Sequence, residues 1–119
     1  MQTRKVFFRP SAREVLEIAP AEVATLLAKY LKLLEDFAHG RGVRSTRTEV
    51  AGHQSRGQGL RQFTIIHQVG LSQGDMGSYR RYLGTEIEKW IRGLSPEDVT
   101  LVNEWLVLEV KADREGVAN

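Results

Sequence analysis

The chain has 119 residues, of which 41% are hydrophobic and 27% charged, and a formal net charge of +2 at pH 7. This length fits one domain with one core, and the composition is typical of a folded protein. The absence of cysteine excludes disulfide bonds, thiolate catalysis and cysteine-bound zinc. No apolar region follows the basic N-terminus and no run approaches the roughly 18 apolar residues of a membrane span, so we expect a cytoplasmic protein without membrane contact.

The beginning of the chain predicts a short strand and a brief helix. Residues 4–9 are rich in strand-forming side chains, and Pro10 ends that run. Residues 11–14 read Ser-Ala-Arg-Glu, a capping-box pattern that predicts one or two helical turns before Pro20.

Residues 21–39 predict an amphipathic helix. Apolar side chains recur there at steps of three and four residues and form one wide stripe, while charged side chains lie on the far side. Gly40 follows directly and can take the left-handed position that often ends a helix.

The segment 41–62 is the most distinctive part of the sequence. It contains no lysine, and Glu49 is the single acid beside five arginines and four glycines. The arginines are Arg41, Arg44, Arg47, Arg56 and Arg61. Alternating residues on both sides of a glycine-rich stretch predict a hairpin of strands 44–51 and 61–69, with a long basic loop within about 41–62. A helix over 60–70 also fits the spacing, but a cluster of β-branched residues favours the strand.

The C-terminal half predicts two further helices. We expect a loop at residues 71–77 and a helix from about 78 to 92. Ser95 and Pro96 followed by two acids are a strong helix start, and we expect the last helix to cover about 96–114. Its apolar residues cover much of its circumference, so it either occupies the centre of the core or buries a second face in a partner.

Together these elements predict an α+β fold. A small antiparallel sheet or β-hairpin would pack against three or more helices, in a single domain that spans residues 1–119. We find no internal repeat and no separate linker in the sequence.

The arginines of segment 41–62 indicate an anionic partner. The guanidinium group matches the geometry of phosphates and carboxylates, and it stacks on flat rings. Arginines on a hairpin can follow a nucleic-acid backbone and release counterions on binding. A solvated loop without a ligand is the plainer explanation, and an acidic protein surface would use the same side chains.

A second basic set lies in the predicted helix 78–92. The set consists of Arg80, Arg81, Lys89 and Arg92, with Arg80 and Arg81 as the candidates for phosphate contact, and Tyr79 or Tyr82 could stack on a base beside them. The solvent-exposed side of an amphipathic helix explains the same residues without a ligand. The N-terminus carries a further basic cluster of Arg4, Lys5, Arg9 and Arg13. That cluster could join either set, because terminal strands often lie beside central hairpins.

Catalytic and metal sites have little support. The three histidines match no metal-binding motif, and we expect no metal and no cofactor. Nothing supports nucleophilic catalysis by a serine. Glu49, Arg61 and His67 could converge across the hairpin as the groups of a metal-independent ribonuclease, and we regard this as a minor alternative.

The last predicted helix offers a protein interface. Trp105 is its main candidate for a subunit contact, with Leu101 and Leu108 beside it. We therefore expect self-association or binding of a protein partner through this helix.

The sequence as a whole favours a small non-enzymatic protein, or subunit of a complex, that binds DNA or RNA. Its phosphate contacts would come from the five arginines of segment 41–62, helped by Arg80 and Arg81. The main alternative is a protein-interaction module, such as an inhibitor or assembly factor, that docks these arginines on an acidic partner. A ribonuclease-like enzyme is the third possibility.

Overall fold

The computed structural model describes the backbone of residues 3–8, 19–43, 46–55 and 59–113, and their side chains except those of residues 3–8, 54, 55 and 59–61. These residues form an α+β fold. Its elements, in chain order, are β1 (Thr3–Phe8), α1 (Ala21–Gly40), β2 (Thr46–Ser55), β3 (Gly59–Val69), α2 (Gln73–Arg92), α3 (Pro96–Trp105) and β4 (Leu106–Ala112). The short helix predicted after residue 11 lies outside the described residues.

The four strands form one mixed sheet in the order β1-β2-β3-β4. β1 pairs with β2 and β2 pairs with β3 in antiparallel fashion, whereas β3 and β4 are parallel. The predicted strands are confirmed over residues 4–8 and 61–69, and residue 9 lies outside the described residues, but the prediction of a purely antiparallel sheet is wrong. The chain passes through α2 and α3 between β3 and β4, and this long crossover returns β4 in the direction of β3.

One face of the sheet carries the hydrophobic core. Phe63, Ile65 and Val69 of β3 are fully buried there, together with Leu27 and Leu34 of α1. Alternation along β3 directs these residues to one face and Thr64 and Ile66 to the other. The core therefore lies between the sheet and the helices, and the stripe predicted for residues 21–39 is the side of α1 that faces it.

The basic segment 41–62 is mostly strand. β2 runs to Ser55 and β3 begins at Gly59, so the long loop predicted for this segment is wrong. β2 is a central strand, and pairing on both sides satisfies the backbone groups of residues such as Gly52, which has a low strand propensity.

The left-handed residue after α1 lies two positions later than predicted. Gly40 is the last helical residue, and Gly42 takes the left-handed conformation with a φ of 76°. The Gly42 N–H donates to the His39 carbonyl and the Val43 N–H to the Ala38 carbonyl, both at 3.0 Å. This is the Schellman arrangement, which satisfies carbonyl groups that the helix itself leaves open.

α2 begins earlier than predicted, because residues 73–77 are helical rather than a loop. The Ser72 Oγ accepts a hydrogen bond from the Asp75 N–H at 3.3 Å and donates one to Asp75 Oδ2 at 2.9 Å. This cap stabilises the first turn despite its glycines.

The predicted C-terminal helix 96–114 is wrong beyond Trp105. α3 ends there, and Leu106 is already extended, although its N–H still donates to the Val102 carbonyl. The residues of β4 alternate between apolar and more polar side chains, and this period of two fits a strand next to β3. The apolar residues that would cover a whole helix circumference instead belong to two elements with different periods.

Candidate nucleic-acid interface

Arg41 lies in a cation–π arrangement where α1 ends beside α2. Its guanidinium carbon is 5.1 Å from the ring centroid of Phe37 and 4.4 Å from that of Tyr82. The Tyr82 side chain is 47% exposed, whereas Tyr79 is buried. Of the two tyrosines predicted as stacking rings, Tyr82 is the exposed one, and the guanidinium group of Arg41 lies over its ring.

Arg47 and Arg80 also make contacts within the protein. Arg47, on β2, lies 3.9 Å from the buried carboxylate of Asp113. The Arg80 Nη2 donates to the Val110 carbonyl at 2.8 Å. Arg47 and Arg80 are thus exposed side chains that also make a contact within the fold, and Arg81 is exposed on α2.

The N-terminal strand brings more basic residues to the hairpin. In the β1–β2 register Arg4 is opposite Gln54 and Lys5 is opposite His53. These positions are next to the end of β2 at Ser55. From the sequence alone, the N-terminal cluster could lie beside either the hairpin or the helix 78–92. The pairing of β1 with β2 shows that Arg4 and Lys5 lie beside the hairpin.

Arg61 occupies an irregular position at the same level. His53 pairs with Gln62 and Gln54 pairs with Leu60, so Arg61 is the extra residue of a β-bulge. We call the end of β1, β2 and β3 that carries Arg4, Lys5 and Arg61 the basic sheet end. Arg56 belongs to the three-residue connection between β2 and β3, and both Arg44 and Arg56 lie outside the described residues.

The predicted arginines therefore do not form one continuous patch. Arg47 is seven residues before Gln54 along β2, which is roughly 24 Å at about 3.4 Å per residue. Arg80 contacts β4 at Val110, which pairs with His67 near the end of β3 that is remote from the basic sheet end. Because this separation exceeds the screening length of about 8 Å at physiological salt, the two regions act as separate charges.

His67 is a buried residue with two polar partners, buried Tyr79 and the more exposed Thr48. Its Nε2 is 2.7 Å from the Tyr79 hydroxyl and its Nδ1 is 3.3 Å from Thr48 Oγ1, so both ring nitrogens have partners. Burial lowers the pKa of His67 from 6.5 to about 4 and raises the pKa of Tyr79 from 10.0 to about 12. His67 is therefore neutral at pH 7, and its role is that of a satisfied core residue. The alternation of Phe63, Ile65, His67 and Val69 along the strand predicts that they share one face of the sheet, but the sequence contains no signal for Tyr79 as the partner of His67.

The proposed ribonuclease groups do not converge. Thr48 is opposite His67, and Glu49 is opposite Ile66. Neighbouring residues of a strand point to opposite faces, so Glu49 and His67 lie on different sides of the sheet. A common point within hydrogen-bonding reach of both side chains does not exist in this arrangement.

The three interface candidates are divided between two elements. Trp105 ends α3 and Leu101 lies on the same helix, but Leu108 is in β4. Trp105 is half-buried, with its ring centroid 6.2 Å from that of Phe63, and both leucines pack against the core. The single helical face predicted for them is therefore wrong.

We also searched the described residues for metal sites and membrane spans, and compared the chain with known proteins. Within the described ranges, no three His, Asp or Glu side chains are grouped so that they could hold a metal ion. None of the helices in the described part of the chain has both the length and the apolar character needed to cross a membrane. Comparisons with protein-family models, curated proteins and solved structures found no match.

Proposed function

We propose that this protein binds nucleic acid through its phosphate backbone, with the basic sheet end as the main contact. The observation that carries the proposal is the register, which sets Arg4 and Lys5 at the level of the bulged Arg61. As successive positions of one strand, Arg4 and Lys5 belong to opposite faces of the sheet, so the contact is the end of the sheet and not one of its faces. Arg56, in the connection next to them, is the fourth cation. The proposed contact residues are therefore Arg56 and Arg61, from the arginines predicted in segment 41–62, together with Arg4 and Lys5 of β1.

The spacing of these positions supports a shared anionic ligand. Neighbouring strands are about 4.8 Å apart, so β1 and β3 are roughly 10 Å apart across β2. This distance is only slightly above the screening length of about 8 Å at physiological salt, whereas Arg47 is about three such lengths from this end, so one polyanion at the sheet end can contact cations of both strands. A polyanion gains by contacting several of them, because each contact releases counterions.

The other predicted arginines have a weaker claim to phosphate contact. Arg41 stacks on two rings, and Arg47 and Arg80 make contacts with an acid and a carbonyl. A phosphate would have to compete with these contacts. Arg44 lies outside the described residues, and Arg81 remains an accessory candidate.

Fluorescence anisotropy with labelled single- and double-stranded DNA and RNA, titrated with salt, tests this proposal. Four phosphate contacts give a slope of about −3.6 in log K against log salt on duplex DNA, and about −2.8 on a single strand. Between 50 and 200 mM salt the affinity for duplex DNA would then fall on the order of a hundredfold.

A charge-matched pair of variants locates the interface. Arg56→Gln with Arg61→Gln should reduce the duplex slope by about 1.8 and weaken binding to all sequences alike. Lys89→Gln with Arg92→Gln removes the same charge from an exposed part of α2 and should leave both slope and affinity nearly unchanged. Equal losses in the two double variants would contradict a local interface. No binding of wild type at low salt would reject nucleic acid and favour an acidic protein partner.

A further inference from the structure

The outer edge of β4 is a second surface that can form backbone hydrogen bonds. β4 is the last strand of the sheet, and among the described residues no strand pairs with its outer edge. The Asp113 N–H donates to the Val69 carbonyl at 2.7 Å and so points toward β3. The backbone N–H and C=O groups of successive residues point to opposite sides of a strand. Those of Lys111 and Glu109 therefore also point toward β3, and those of Val110 and Leu108 point to the outer edge.

Two other contacts agree with this assignment. The Leu106 N–H points away from β3, toward the Val102 carbonyl of α3. The outward carbonyl of Val110 accepts the hydrogen bond from Arg80 at 2.8 Å. A charged side chain from α2 therefore covers the middle of an edge that would otherwise accept another strand.

The side chains of β4 are complementary to a second copy of the same strand. Lys111 Nζ lies 3.5 Å from Glu109 Oε2 within one chain, and in an antiparallel pair centred on Val110 the Glu109 of each copy is also opposite Lys111 of the other. The same register makes Val110 opposite Val110 a hydrogen-bonded pair, which fits its outward backbone groups. Registers centred on Leu108 or Glu109 instead place Glu109 opposite Val107 or a second Glu109, so they lose the paired charges or bring like charges together.

We infer that the outer edge of β4 is a self-association surface for a second copy of this chain, which Arg80 holds closed. In the register centred on Val110, each Val110 carbonyl accepts from the Val110 N–H of the other copy. Arg80 occupies that same carbonyl in the single chain, so the two contacts compete at the centre of the pair. Release of Arg80 would join the four described strands of each copy into one continuous sheet.

This surface is independent of the proposed nucleic-acid contact. Val110 is at the level of His67, remote from the basic sheet end. Arg80 therefore has a role other than the phosphate contact predicted for it. Exposed Val107, at 37%, lies on the sheet face that Glu109 and Lys111 share and would be partly covered in the pair.

Sedimentation equilibrium without nucleic acid tests the inference. Arg80→Ala should strengthen self-association on the order of tenfold or more, since both copies lose a competing hydrogen bond from a charged donor. Arg81→Ala is the matched control, because it removes the same charge from the neighbouring exposed position and should associate as wild type does.

Two further variants test the register. Adding Glu109→Lys to Arg80→Ala places two lysines opposite each other on either side of the central Val110 pair and should abolish the gain. Adding Lys111→Glu as well restores opposite charges and should restore the association. Arg80→Ala that associates no more strongly than wild type would overturn the inference. So would a gain in association that Glu109→Lys leaves unchanged. Either result would leave the salt dependence of nucleic-acid binding untouched.

Discussion

The fully buried imidazole of His67 makes the stability of this fold depend on pH. Its pKa falls from 6.5 in the unfolded chain to about 4 in the folded protein, because burial disfavours the charged ring. Between these values the unfolded state binds a proton that the folded state does not. The stability contributed by the neutral ring is therefore complete above pH 6.5 and is lost as the pH falls through 4.

The difference between the two pKa values corresponds to about 3 kcal/mol in the free energy of unfolding. About 2 kcal/mol of this is lost between pH 7 and pH 5. Most carboxyl groups remain ionised in that interval, so it isolates the histidine contribution better than stronger acid does.

Urea unfolding at several pH values from 7 to 5 measures this loss directly. His67→Gln removes the titrating group while keeping a donor and an acceptor, and its stability should vary with pH by about 2 kcal/mol less than that of wild type. His39→Gln, at an exposed position in the last turn of α1, should keep the wild-type pH dependence. If wild type and His67→Gln lose the same stability between pH 7 and pH 5, the reasoning from burial is refuted.

Three further predictions concern local structure, and chemical unfolding at pH 7 measures each. Tyr79→Phe should lower the free energy of unfolding by about 1–3 kcal/mol, because it leaves a buried nitrogen of His67 without its partner. Tyr82→Phe, at the exposed ring, should lower it little, and equal losses in the two variants would contradict the hydrogen bond between His67 and Tyr79. Gly84→Ala should stabilise the protein by about 0.5–1 kcal/mol, since no heavy atom lies within 4 Å of the added methyl group, whereas Gly42→Ala should destabilise it by about 1 kcal/mol because of its positive φ. Ser95→Ala should cost about 1 kcal/mol, since its Oγ accepts the Asp98 N–H at 3.2 Å, and an unchanged stability would show that Pro96 alone starts α3.

The elements that were predicted correctly are those with a strong local signal. The stripe of residues 21–39 specifies α1 because one face of a helix must be apolar to cover a sheet. The start of α3 follows from Ser95 and Pro96. The Ser95 side chain accepts the free Asp98 N–H of the first turn, and Pro96 has no N–H that would need a partner. Both signals are contained within a few residues and need no knowledge of the neighbouring elements.

The end of α3 was missed because its signal is a change of period. Residues 99–105 follow a helical spacing, and residues 106–112 alternate, with Leu106, Leu108 and Val110 on the side that faces the core. Read as a single helix, these residues gave an apolar surface around the whole circumference. No glycine or proline stands at the junction to reveal the change, since Leu106 continues the hydrogen bonding of α3 while its backbone is already extended.

The candidate interface depends on strand register, which is why the sequence could not locate it. The five arginines of segment 41–62 are close in sequence, but β2 is extended between Arg47 and Gln54. Arg47 is therefore roughly 24 Å from Gln54, which is at the level of Arg61. Conversely, Arg4 is more than fifty residues from Arg61, and pairing on both sides of β2 brings their backbone positions to the same level. Register also separates the proposed ribonuclease pair, because the pairing of Thr48 with His67 and of Glu49 with Ile66 sets His67 on one face and Glu49 on the other. Charge composition thus predicted the class of ligand to test, whereas the selection of contact residues required the pairing of three strands.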